Sequence, residues 1–76
     1  MSKIMSTVKM GVYKHFKGME YTVLGIAKHS ETLEDMVVYI CNYENPRSRI
    51  WVRPLTMFLE VVEYNGEQVN RFTYIG

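Results

Sequence analysis

The chain has 76 residues, a formal net charge of +1 and a hydrophobic share of 47%. That length specifies one domain, which buries roughly 60–65% of its unfolded-chain surface. The near-even charge excludes the strongly basic surface of a general nucleic-acid binder, and a single cysteine, Cys41, excludes an intramolecular disulfide and a multi-cysteine zinc site.

The opening "MSKIMSTVKM" has Lys3 and Lys9 among its apolar residues, so it lacks the run of about 20 apolar residues that a membrane span needs. Residues 1–10 are expected to form a flexible N-terminal arm and residues 11–76 a single β domain. In "GVYKHFKG", Tyr13, His15 and Lys17 alternate with Val12, Lys14 and Phe16, the pattern of a strand, and Gly18 closes it as a turn residue. "MEYTVLGIAKH" keeps the period of two. It is expected to place Tyr21, Val23, Gly25, Ala27 and His29 on one face, with Gly25 and Ala27 leaving room for a close crossing or a bend. Polar "SETLED" reads as a turn and "MVVYICNY" as a third strand. "ENPRSR" is a loop and "IWV" a short fourth strand ending at Arg53-Pro54. Leu55, Phe58 and Leu59 have the i, i+3, i+4 spacing of one helical or 3-10 turn. "EVVEY" and "EQVNRFTYI" flank Asn65-Gly66, a strong type I′ hairpin signal. The expected fold class is mainly β, a small, bent barrel of roughly five to six strands with one short helical turn.

The polar residues suggest several chemistries. His29-Ser30 invites a nucleophile reading, but adjacent strand residues point to opposite faces, so His29 is a poor base for Ser30 and His15 is the other candidate. His15, His29, Glu31 and Cys41 are zinc-ligand types without a closely spaced pair, and neither a metal nor a cofactor is expected. Glu31, Glu34 and Asp35 read as a solvated turn, with Thr32 and Asp35 in a capping-box-like spacing. Trp51 and Phe58 supply bulk that a small core needs. Arg53, beside Pro54, offers a fixed fork to a carboxylate or phosphate, unless an internal ion pair with Glu60 or Glu31 occupies it. Tyr13, His15 and Lys17 share a face. A hairpin across Gly18 would set the His29 turn toward the other end of that face.

Several of these stretches together resemble a known family. They are Gly11-x-Tyr13-x-His15-x-Lys17-Gly18, Tyr21-x-Val23-x-Gly25-x-Ala27-x-His29-Ser30-Glu31-Thr32, Val37-Val38-Tyr39, Trp51-Val52-Arg53-Pro54, Met57-Phe58-x-Glu60 and Arg71-Phe72. In that order they resemble the small bacterial domain-of-unknown-function family 1653, from about Gly11 to the end. The resemblance implies a compact, SH3-like β domain and brings no established activity. Two departures stand out: the Asn42–Arg49 stretch is longer and more basic than the family's usual linker, and Cys41 stands where an aliphatic residue is expected.

The expected function is that of a cytoplasmic, non-catalytic binding module for a small polar or anionic ligand or a protein segment. Tyr13, His15, Lys17, His29, Ser30, Glu31, Trp51 and Arg53 are its candidate ligand-binding residues. The alternatives are a small hydrolase or transferase using His15 or His29 with Ser30 or Glu31, and an interaction module acting as monomer or homodimer through a strand edge or the Met1, Met5, Met10 arm. Nucleic acid is a weaker partner, and no membrane partner is expected.

Overall fold

The computed structural model describes residues 8–76. In chain order it contains β1 (Gly11–His15), β2 (Glu20–Lys28), β3 (Asp35–Cys41), β4 (Ile50–Pro54), the helical turn α1 (Leu55–Phe58), β5 (Val61–Tyr64), β6 (Glu67–Asn70) and β7 (Phe72–Tyr74). One five-stranded sheet has the order β4-β3-β2-β1-β7, and β5 and β6 form a separate hairpin. Every pairing is antiparallel.

The mainly β character and the single helical turn agree with the sequence, while closure and strand count differ. Among the described residues β4 and β7 do not pair, so the sheet is bent but not closed into a barrel, with an edge on each side. The stretch "EQVNRFTYI" is two strands because the chain changes partner at Arg71. The Arg71 N–H donates to the Glu60 carbonyl at 3.0 Å, and its own carbonyl accepts from the Phe16 N–H at 3.0 Å. Those two bonds carry the chain from the hairpin to the edge of β1, where Phe72 pairs with His15 and Tyr74 with Tyr13.

A bulge in β2 sets the bend. Val23 pairs with Tyr39 but Gly25 pairs with Val38, leaving Leu24 as the extra residue. Opposed residues of an antiparallel pair share a face. The core face set by Tyr21 and Val23 therefore passes to Ile26 and Lys28 beyond the bulge, opposite Val37 and Asp35. This corrects the expected continuous face, since Gly25 and Ala27 fall on the other side and His29 no longer continues the row begun by Tyr21. Nor does anything cross closely at Gly25, where a Cβ would find no atom within 4 Å.

The core gathers Val8, Tyr13, Val23, Val37, Tyr39, Leu55, Phe58 and Phe72, with Tyr21, Ile26 and Trp51 packed at its border. Phe58 stacks on Phe72 with centroids 4.2 Å and planes 6° apart, which fastens α1 over the sheet. Leu55 and Phe58 are buried, whereas Leu59, expected beside them, is 45% exposed. Of the expected 1–10 arm, residues 1–7 lie outside the described residues. Val8 packs in the core, and the Lys9 N–H and carbonyl both bond the Tyr13 hydroxyl at 2.9 Å.

Candidate functional site

Register brings the aromatic residues together. Tyr21 opposes Cys41 across β2 and β3, and Tyr39 opposes Trp51 across β3 and β4, all on the core face. Arg53, two residues after Trp51, opposes Val37 on that same face. The β3–β4 loop then returns Tyr43 and Asn45 over the end of the sheet. These six residues, Tyr21, Tyr39, Tyr43, Asn45, Trp51 and Arg53, line a cleft of about 200 Å³. A larger cleft of about 340 Å³ lies between β1, β7 and the β5–β6 hairpin, where Phe16, Tyr64, Val69 and Ile75 give it a mainly apolar lining. Lys14, His15, Asn70 and Thr73 line it as well; the smaller cleft is the candidate because it sets a guanidinium and an amide among four aromatic residues.

The tyrosines form a box. Tyr21 meets Tyr39 at 5.3 Å and 86° and Tyr43 at 5.6 Å and 80° between ring planes. Their polar atoms are largely committed within the protein. The Tyr21 and Tyr43 hydroxyls bond each other at 2.9 Å, and the Trp51 indole N–H donates to the Ser48 carbonyl at 3.0 Å. Asn45 accepts from the Arg47 N–H at 3.0 Å, and its amide nitrogen approaches the buried Cys41 sulfur at 3.7 Å. Burial first, and then the bond to Tyr43, raise the pKa of the Tyr21 phenol well above its ordinary value.

Arg53 is the exception. Its Nε donates to the Tyr39 hydroxyl at 3.4 Å, and its guanidinium carbon lies 5.5 Å from the centre of the Phe72 ring. The ion pair considered with Glu60 does not form, because Glu60 pairs with Arg71 at 2.8 Å. Among the described residues no carboxylate comes within salt-bridge distance of Arg53. Beside it, His15 packs 5.0 Å from Phe72 and 6.3 Å from Tyr21. Its pKa is lowered by burial above all, and further by the positive charges of Arg53, Arg71 and Lys17. Arg53 thus brings to the cleft lining a positive charge with no carboxylate partner among the described residues.

The other candidate residues have different surroundings. Tyr13 is a core residue whose hydroxyl is held by Lys9. Lys17 is exposed, its N–H donating to the His15 Nδ1 at 3.1 Å and its amine 5.9 Å from the Phe16 ring centre. His29, Ser30 and Glu31 form an exposed turn at the opposite end of β2 from Tyr21. In that turn the His29 Nδ1 accepts from the backbone N–H groups of Glu31 at 3.1 Å and Thr32 at 3.3 Å. Thr32 does not bond toward Asp35 as a capping box would; its hydroxyl accepts from the Glu34 N–H at 3.2 Å, and Asp35 pairs with Lys28 at 2.7 Å. Among the described residues no three His, Cys, Asp or Glu side chains converge as metal ligands, and no helix is long and apolar enough to cross a membrane. Of the eight candidates, Trp51 and Arg53 line the cleft, while His15 packs beside Tyr21 and lines the larger cleft. Sequence reasoning missed Tyr21, Tyr39, Tyr43 and Asn45. Only the basic, lengthened Asn42–Arg49 stretch gave a signal toward the last two.

None of the curated proteins matches the chain. A solved structure does: the crystal structure of a DUF1653 protein from Bordetella bronchiseptica is 36% identical, with a TM-score of 0.90 over 95% of this chain and 92% of that one. Residues 11–74 match the family described as "Protein of unknown function (DUF1653)", and with a match across nearly the whole β domain, the chain belongs to that family.

Proposed function

We propose that the protein is a non-catalytic binding module that takes a small anionic ligand in the Tyr21–Arg53 cleft. The observation that carries this reading is Arg53, a guanidinium fixed by Tyr39 and Phe72 yet without a carboxylate partner among the described residues. An anion placed there gains charge-assisted, two-pronged hydrogen bonds from a group already held in position. The strand order supports an SH3-like domain, because a curved second strand joins both halves of the sheet and a helical turn precedes the region that returns to β1. Cys41 as the sole cysteine supports a reducing, cytoplasmic setting. Against the hydrolase or transferase alternative, His15 lies near the Tyr21 end of β2 and the His29-Ser30-Glu31 turn follows its other end. Seven residues of β2 lie between Tyr21 and His29, and the eight steps span about 26 Å when fully extended.

The test is a nitrogen-edited NMR titration of the protein with phosphate- and carboxylate-bearing fragments. The expected result is that the Trp51 indole N–H and the Tyr43 and Arg53 amides shift, and that Arg53→Gln weakens the response about 10-fold. Shifts confined to other surfaces, or a response undiminished by Arg53→Gln, overturn the proposal.

A further inference from the structure

Which anion the cleft prefers follows from what its walls have left to offer. The Trp51 N–H and the Tyr21, Tyr43 and Tyr39 hydroxyls already have partners inside the protein, as do both ends of the Asn45 amide. What remains for a ligand is ring surface on exposed Tyr43 and half-buried Tyr21 and Trp51, the O–H proton of buried Tyr39, whose oxygen accepts from Arg53, and the terminal N–H groups of Arg53. A sugar is poorly matched, since it needs many free donors and acceptors. A quaternary ammonium suits an aromatic box, but the charge of Arg53, without a carboxylate partner among the described residues, repels it. A flat, uncharged ring joined to an anionic group satisfies both features. The volume of about 200 Å³ is below the roughly 300–1,000 Å³ of pockets that enclose whole ligands, so the cleft takes in only part of such a ligand. The loop that supplies Tyr43 and Asn45 also carries exposed Glu44, Arg47 and Arg49, a net positive charge.

We infer that the cleft binds one nucleoside phosphate unit, its base among Trp51 and the tyrosines and its phosphate on Arg53. This rests on the anion-site reading above and adds to it the aromatic half of the ligand. Stacking on aromatic side chains tolerates any base, and an arginine fork suits a phosphate. The unit has two sources, a free nucleotide or a residue of a single strand, and both present the same chemistry.

Calorimetric titration of the full chain with adenosine monophosphate, ribose 5-phosphate and adenosine tests it. The expected order is adenosine monophosphate tightest, with ribose 5-phosphate weaker by about 10-fold for want of stacking. Adenosine is weaker by a similar factor for want of the charge-assisted bonds. Arg53→Gln should weaken adenosine monophosphate about 10-fold with its melting curve retained. Tyr43→Ala, altering a loop side chain, should remove most of the advantage over ribose 5-phosphate. Equal binding of adenosine monophosphate and ribose 5-phosphate overturns the nucleotide assignment and leaves the anion site standing. Adenosine binding as tightly as its phosphate overturns both, and absence of binding by adenosine monophosphate overturns the nucleotide assignment. A single-stranded hexanucleotide separates the sources: tighter, strongly salt-dependent binding marks a strand, and affinity equal to the mononucleotide marks the free compound.

Discussion

The Tyr13 hydroxyl occupies both hydrogen-bonding groups of Lys9, at 2.9 Å each, while the ring packs edge-on against Phe58 at 5.2 Å. Removing that oxygen leaves a peptide N–H and a carbonyl without their partner, a loss of about 1–2 kcal/mol. Tyr13→Phe should therefore lower the melting temperature and leave binding at the cleft unchanged; altered binding with unchanged stability would return Tyr13 to the site. His15 acts through pH. Its folded pKa lies below the ordinary 6.5, because burial and the neighbouring cations oppose its charge. Between that lowered value and 6.5 the unfolded chain binds more protons, so stability rises with pH across the window. The contribution is complete above the unfolded pKa and is lost as pH falls through the folded one. Melting temperature should fall as pH drops from about 7 to about 5, and His15→Gln should flatten that slope. Slope is the measurement to use, since the substitution also removes ring contacts with Phe16 and Phe72.

Asn65 and Gly66 join β5 to β6 with φ of 55° and 80°, the left-handed conformations that a type I′ turn requires. A methyl group at Gly66 meets no atom within 4 Å, so the cost of Gly66→Ala is backbone strain alone, about 1 kcal/mol. For a domain this small, thermal melting should register a loss of roughly 4–8 °C. Gly25→Ala has the same open space without the left-handed backbone, and should be neutral or slightly stabilising by restricting the unfolded chain. The pair shows what local sequence encodes. Asn65-Gly66 is read directly because two residues determine the turn, and α1 because Leu55 and Phe58 carry its burial. The Leu24 bulge is not readable in the same way, since β2 alternates regularly and the extra residue is defined only by its pairing with β3. The change of face after Val23, and with it the placement of His29, was therefore hidden. Arg53 and Trp51 stood out by type and spacing; Tyr21, Tyr39, Tyr43 and Asn45 looked like strand and loop residues until register brought them to one cleft.

Across the molecule, the two faces of the main sheet are unequal. On the inner face Val37 is fully buried on β3, the strand between β2 and β4. On the outer face Leu24, Ile50 and Val52 are 47%, 58% and 55% exposed, with no charged residue among them. A chain of this length has little stability in reserve. Val37→Ala opens a cavity beneath the strands that carry the cleft and should cost about 2–3 kcal/mol, with a fall in melting temperature of roughly 10–20 °C. Val52→Ala, across the ladder from Val38 on the outer face, removes methyl groups that already meet water. It should change stability by less than about 0.5 kcal/mol if the outer face is solvated. Should Val52→Ala instead lower the melting temperature in a concentration-dependent way, with sedimentation shifting toward a lighter species, a second copy covers that face. That result would explain why apolar residues remain on both sides of β3, where a sheet with one solvated face ordinarily alternates apolar with polar.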